Sequence, residues 1–362
     1  MIYLLFLLVS CVYFSYLRQY RRISSFQRFL LYSLPFVLFW GLLIGGQYGV
    51  GTDYFSYIRY FSGSDLSYFE SKGDIFFARF IQFCNAIGIW GQGVFFVLSI
   101  ISVLILLYVI HNIIGSKYAF LFLFIFIVFS GTFHNQMNGV RQYSAVYLFT
   151  LGVCFWVQRR YILAIIFFSI MSFVHSSSIA VLLIFFFLNS AWHFIEERRI
   201  LALIVIAAFF ISMLNLNVLL QKVMPFFGQY EVYYNSGRIE GEQVSKLVMV
   251  TKYIYIPIIL YSIYLLPRMH LTSMQKRYFV LGVCGYAFKI SILSLFIVNR
   301  MGQYFEILMC VPIVFLLIYI KQCGKRYTYL YLLLLLFFIA PYALKVTIFA
   351  TGEYSYSSFF LL

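Results

Sequence analysis

Four side chains far apart in the sequence carry most of the chemistry open to this 362-residue chain: Asp53, Arg141, His175 and Arg300. A guanidinium is a permanently charged fork whose N–H groups match phosphate oxygens two at a time. An imidazole or a carboxylate can take the proton of a hydroxyl. Together such groups can neutralise a departing anion and activate a nucleophile. Their neighbours point the same way. Asn138 and Gln142 flank Arg141, and Asn299, Gln303 and Tyr304 flank Arg300. Polar groups gathered at helical spacing suit a wet cavity and not lipid. His134 lies in the same polar knot as Arg141. Tyr54 and Tyr57 follow Asp53 in the stretch GVGTDYFSY (49–57), and their rings, apolar with a wet hydroxyl, suit sugar faces or headgroups. Arg79 sits in the amphipathic stretch 75–90, which lies at a membrane interface or lines the cavity.

Each of these residues also has a purely structural reading. Arginines at the ends of apolar runs snorkel to headgroups, most plainly Arg59 and Arg79. His175 can bond a carbonyl at a helix break, and Asp53 can cap a short helix. Lys289 and Glu306, on neighbouring apolar runs, can pair inside a membrane. Other chemistries are set aside. The chain has only three aspartates (53, 65 and 74), so there is no D-x-D metal motif. Paired-histidine spacing, a Walker loop and GxSxG are absent too. No metal and no cofactor are expected, so any phosphate at the site must be held by arginines.

The elements that position these groups follow from composition. The chain is 64% hydrophobic and 10% charged. Apolar runs of spanning length recur throughout, each matching about 17–25 residues of hydrocarbon thickness. Without water in the bilayer core, helices are the natural solution. The runs are continuously apolar and do not alternate, which argues against a barrel. The six cysteines lie singly, so neither a disulfide frame nor a zinc site is indicated. Net charge is +15 with no solvated basic face, which excludes a nucleic-acid partner. The N-terminus starts directly in an apolar run and reads as a first span, not as a removable signal.

The expected architecture is one all-α polytopic membrane domain over residues 1–362, with about twelve transmembrane helices and two larger outer loops, 47–91 and 219–248. Tyr230, Tyr233, Tyr234 and Arg238 lie in the second loop. The loops assigned inside hold 15 of the 26 Lys and Arg but 2 of the 11 acids, giving +13 there and +2 elsewhere. On this map Arg141 and His175 are two apolar runs apart and so share a membrane face. Asp53 and Arg300 are assigned to that same outer side. No internal repeat is evident, unlike the doubled halves of many transporters.

Four stretches carry a resemblance: GTDYFSY, DIFFARFIQFCNAIG, the segment NGVRQYSAVYLF through SFVHSSSIAVLL, and NRMGQYFEI. Over about residues 48–310 the chain resembles the EpsG-like branch of the Wzy-type bacterial polysaccharide polymerases, which include O-antigen polymerases. One departure is Asp74, where a glutamate opening an E-P-G-Y-like stretch is expected.

The resemblance implies a multi-pass protein of the bacterial inner membrane, similar in plan to lipid-linked (GT-C-like) glycosyltransferases, with its site facing the periplasm. The implied substrate is an oligosaccharide repeat linked to undecaprenyl pyrophosphate, with membrane lipid as surroundings and a chain-length regulator as a further partner. In that chemistry Arg141 and Arg300 stabilise the leaving pyrophosphate, and His175 or Asp53 takes the acceptor proton. Tyr54, Tyr57, Arg79, His134, Asn138, Gln142 and Tyr304 bind substrate. Competing readings are a flippase or other transporter of the lipid-linked repeat, an O-antigen ligase-like transferase, and a membrane acyltransferase.

Overall fold

The computed structural model describes residues 1–19, 25–214 and 251–361. Among these the regular elements are helices, apart from one isolated antiparallel bridge between Gln47 and Ser358. The outer loop assigned to 219–248 and the inner Arg21 and Arg22 lie outside the described residues.

Among the described residues four helices are long and apolar enough to cross a membrane: Phe26–Gly45, Gln92–Ile114, Val298–Gln322 and Lys325–Thr347. They run 20 to 25 residues, about 30–38 Å at 1.5 Å per residue. Five shorter apolar helices accompany them, among them Ile2–Leu17, Tyr161–Val174 and Ser176–Ser190. Against about twelve expected spans, four described helices therefore reach full spanning length.

The chain forms two compact units. The first comprises Met1–Leu182 with Leu317–Leu362. Its helices include α1 (Ile2–Leu17), α2 (Phe26–Trp40), α3 (Tyr54–Phe61), α4 (Ser67–Ser71), α5 (Ile75–Ala86), α6 (Gln92–Ile114), α7 (Ala119–Phe129), α8 (Thr132–Asn135), α9 (Val140–Val157) and α10 (Tyr161–Val174), with Thr328–Thr347 near the end of the chain. α11 (Ile179–Ser190) follows a turn at Ser176–Ser178. The segment 47–91, expected as an outer loop, thus holds three short helices, α3 to α5.

α9 packs along α10 and against α6, and α1 lies on α7. α2 ends in a π-helical turn, Gly41–Gly45, that lies along α6. A Cβ at Gly45 would stand 2.7 Å from the Phe96 backbone, so only glycine permits this approach. Between apolar helices in lipid there is little hydrophobic gain on association, so packing and polar contacts hold the bundle. Phe6, Phe36, Trp40 and Phe133 form one buried aromatic cluster. Ser10, Ser33, Ser102, Ser130 and Thr150 each donate to the carbonyl four residues back. A hydroxyl surrounded by hydrocarbon satisfies itself this way.

The second unit comprises Leu183–Leu316. Helix Arg198–Ser212 packs on Ser273–Ser291 and on Ile256–Leu265. Helix Ser273–Ser291 opens with a full capping box between Thr272 and Gln275. The Lys289 ammonium and the Glu306 carboxylate form a buried ion pair, the pairing their neighbouring runs allowed.

Candidate functional site

The site in the first unit is assembled by short helices at the ends of long ones. Asp74 stands just before α5, at its N-cap position. One Asp74 oxygen, Oδ2, forms an ion pair with Nη1 of Arg141, in the first turn of α9. The other, Oδ1, accepts from the backbone N–H of Ser176 at 2.7 Å, in the turn after α10. His175 precedes that N–H, and its Nε2 lies 2.9 Å from the Ser177 hydroxyl. One carboxylate therefore ties the Arg141 turn to the His175 turn. The turns of Arg141 and His175, expected on one membrane face, are thus drawn to the same carboxylate.

The pair is enclosed. The Asp74 side chain is 2% exposed and that of Arg141 14%. The Arg141 guanidinium lies 5.3 Å from the Phe69 ring centre and 6.0 Å from that of Tyr68. Burial pushes the Asp74 carboxyl above the usual carboxylate range, while the Arg141 charge and the Ser176 N–H oppose the rise. Tyr57 is buried nearby. Burial raises its phenol too, with Arg141 opposing and Asp53 adding to the rise. Asp74 had been marked only as a departure from an expected glutamate, yet it is the centre of this cluster.

Asp53 borders the cluster from α3. It occupies the N-cap position there, but its carboxylate makes no capping bond. It is exposed and accepts from the Thr52 hydroxyl at 3.2 Å. Its backbone N–H donates to Oδ1 of Asn138 at 2.8 Å. Gly51, with φ +78°, makes that approach possible, since a Cβ there would lie 2.6 Å from the Asn138 side chain.

Other expected site residues have different surroundings. Tyr54 is 2% exposed, its hydroxyl donates to Gln92 at 2.7 Å, and its ring stacks on Phe95. His134 is 1% exposed, with Nε2 3.0 Å from the Tyr342 hydroxyl and its ring stacked on Tyr354. Burial lowers its pKa to about 3, so the ring is neutral at ordinary pH. Arg79 projects outward, donating to Gln82 at 2.8 Å and lying 3.8 Å from Glu70. Gln142 is half-buried beside Arg141. Arg300 and Tyr304 belong to the second unit. Arg300 is exposed in the last turn of helix Phe296–Gly302, and Tyr304 is buried. Among the described residues no cluster of three or more His, Cys, Asp or Glu side chains is placed to hold a metal.

The EpsG family model matches residues 29–359. This chain belongs to the EpsG family. No curated protein and no solved structure matches it. EpsG-family proteins are Wzy-like proteins of the polysaccharide polymerase type, and the long apolar helices make this member a membrane protein. The match includes both the Asp74–Arg141–His175 cluster and the Arg300 segment.

Proposed function

We propose that this EpsG-family chain is a membrane glycosyltransferase that polymerises oligosaccharide repeats carried on a polyprenyl pyrophosphate. The observation that carries the reading is Asp74, which holds Arg141 and the His175 turn together beside the exposed Asp53 loop. The result is a cation and two proton acceptors at one end of a helical bundle.

The chemistry is a displacement at the anomeric carbon of the donor chain. The hydroxyl of the acceptor repeat attacks that carbon and forms the new C–O bond. The anomeric C–O bond to pyrophosphate breaks, and its electron pair leaves with the phosphate. The acceptor proton passes to His175 or Asp53. Arg141 meets the charge that develops on the leaving group, an interaction strongest where water is excluded. Before the anion arrives, the Asp74 carboxylate occupies Arg141, so the two anions compete for one guanidinium. No metal is required in this scheme.

The shorter helices complete a bundle of about twelve spans with a GT-C-like plan. The site faces the periplasm of a bacterial inner membrane, and undecaprenyl pyrophosphate is the carrier. Of the initial ligand set, Tyr57, Asn138 and Gln142 remain beside the reacting groups. His134 and Tyr54 serve instead as packing residues.

Replacing Arg141 with alanine in cells that depend on this protein should leave single repeats on the surface acceptor. Polymer of normal length from that variant overturns the proposal. A flippase would leave no repeats outside at all, and a ligase would leave polymer on its lipid carrier.

A further inference from the structure

The chain from Thr351 to Leu361 returns across the start of the Asp53 loop. Ser358 bridges to Gln47 in antiparallel fashion. The Tyr48 N–H donates to the Ser357 carbonyl at 2.9 Å, and the Phe359 N–H to that of Gly46 at 2.8 Å. The Tyr356 hydroxyl donates to the Leu43 carbonyl at 2.9 Å. Upstream, the Glu353 carbonyl accepts from the Tyr3 hydroxyl at 2.8 Å and lies 3.4 Å from Nδ1 of His134. The buried His134, left out of the chemistry above, thus anchors this strap.

The Glu353 side chain does something more specific. Its Oε1 accepts from Nδ2 of Asn138 at 2.9 Å. The Asn138 Oδ1 accepts from the Asp53 N–H at 2.8 Å. A carboxamide has a donor end and an acceptor end. An acceptor at residue 353 therefore fixes which end of Asn138 faces Asp53. We infer that Glu353 is a positioning residue: through Asn138 it orients the backbone that carries the Asp53 carboxylate to the reacting groups. This inference rests on the reading above, in which Asp53 borders the site.

The polarity of the relay gives it a signature that a packing role lacks. Glu353→Gln keeps an acceptor opposite Asn138. Glu353→Ala removes it, and Glu353→Lys sets a donor against a donor. The test uses the full-length protein in lipid nanodiscs, with two readouts. The first is hydrogen exchange at the Asp53 amide, which needs no activity. The second is initial polymerisation rate against the concentration of a synthetic polyprenyl-pyrophosphate-linked repeat.

Exchange should be unchanged in Glu353→Gln, about tenfold faster in Glu353→Ala, and at least as fast in Glu353→Lys. The value of kcat should fall about ten- to a hundredfold in the last two with KM little moved, and Glu353→Gln should restore it. Equal exchange in all four proteins, or a glutamine variant as fast as the alanine one, overturns the relay. Faster exchange with unchanged kcat overturns the positioning role. If the four proteins show the exchange pattern but the wild type never lengthens the repeat, the polymerase reading falls and the strap contact alone survives.

Discussion

The Asp74–Arg141 pair should be essential both to stability and to chemistry, and a double variant can separate the two. Removing Asp74 alone leaves a guanidinium that is 14% exposed facing aromatic rings without its counter-ion. Breaking a buried pair from one side costs about 3–5 kcal/mol. For a unit of 150–250 residues, 1 kcal/mol shifts the melting midpoint by about 2–4 °C, so Asp74→Ala should melt about 6–20 °C lower. Removing Arg141 alone should cost less than removing Asp74, because burial already raises the Asp74 carboxyl and favours its neutral form.

Replacing both, as Asp74→Leu with Arg141→Met, removes both charges. Apolar pairs of similar volume are often neutral or better. The double variant still leaves the Ser176 N–H without its Asp74 acceptor, which costs about 1–3 kcal/mol. It should therefore recover roughly half of the single-variant loss and yet form no polymer. Thermal unfolding of purified protein and a polymer blot from the same cells read the two effects. A double variant as unstable as Asp74→Ala refutes the ionic account of the contact. A stable double variant that still makes polymer refutes the catalytic role of Arg141.

Three other outcomes are expected. His134 has its pKa lowered to about 3 by burial, so between about pH 3 and 6.5 the native state binds fewer protons than the unfolded chain and stability falls as pH drops through that window. Melting of His134→Gln should depend less on pH there than melting of the wild type; parallel curves contradict the assignment. Gly51→Ala forces a Cβ to 2.6 Å from Asn138 at φ +78°, and should cost about 1–3 kcal/mol while slowing polymerisation; a variant indistinguishable from wild type would mean the loop relaxes without consequence. Lys289→Met should lower the melting point of the protein, and adding Glu306→Leu should restore most of it, since their ion pair is buried; no recovery in the double variant argues against the pair.

How far the site was legible varies with the kind of contact involved. Counting the apolar runs between them put Arg141 and His175 on one membrane face, because span length is fixed by membrane thickness; the structure brings their two turns to one carboxylate. Lys289 and Glu306 were legible for a related reason: charges inside neighbouring apolar runs need partners. Asp74 was not, since its two partners lie 67 and 102 residues away and nothing local marks it. Tyr54 and His134 carry residue types suited to ligands, but tertiary packing commits them to Gln92 and to Tyr342 and Tyr354. Residue type reports chemistry and not burial. The Glu353–Asn138 contact spans 215 positions and rests on a return of the chain with no periodic signature. The count of about twelve spans is a different matter, since four described helices reach spanning length. α7 stops at 11 residues, in a turn before Gly131 that a hydropathy reading runs through, while α10 stops at 14 residues, where the apolar run itself ends at His175.

The most direct test of the polymerase assignment is in vitro. Purified full-length protein in a bilayer would receive a synthetic polyprenyl-pyrophosphate-linked repeat in the presence of a metal chelator. A polymerase using Arg141 gives a ladder of longer lipid-linked products, with one polyprenyl pyrophosphate released per new bond and no ladder from Arg141→Ala. Movement of the repeat across the bilayer without lengthening, or an undiminished ladder from Arg141→Ala, would contradict it.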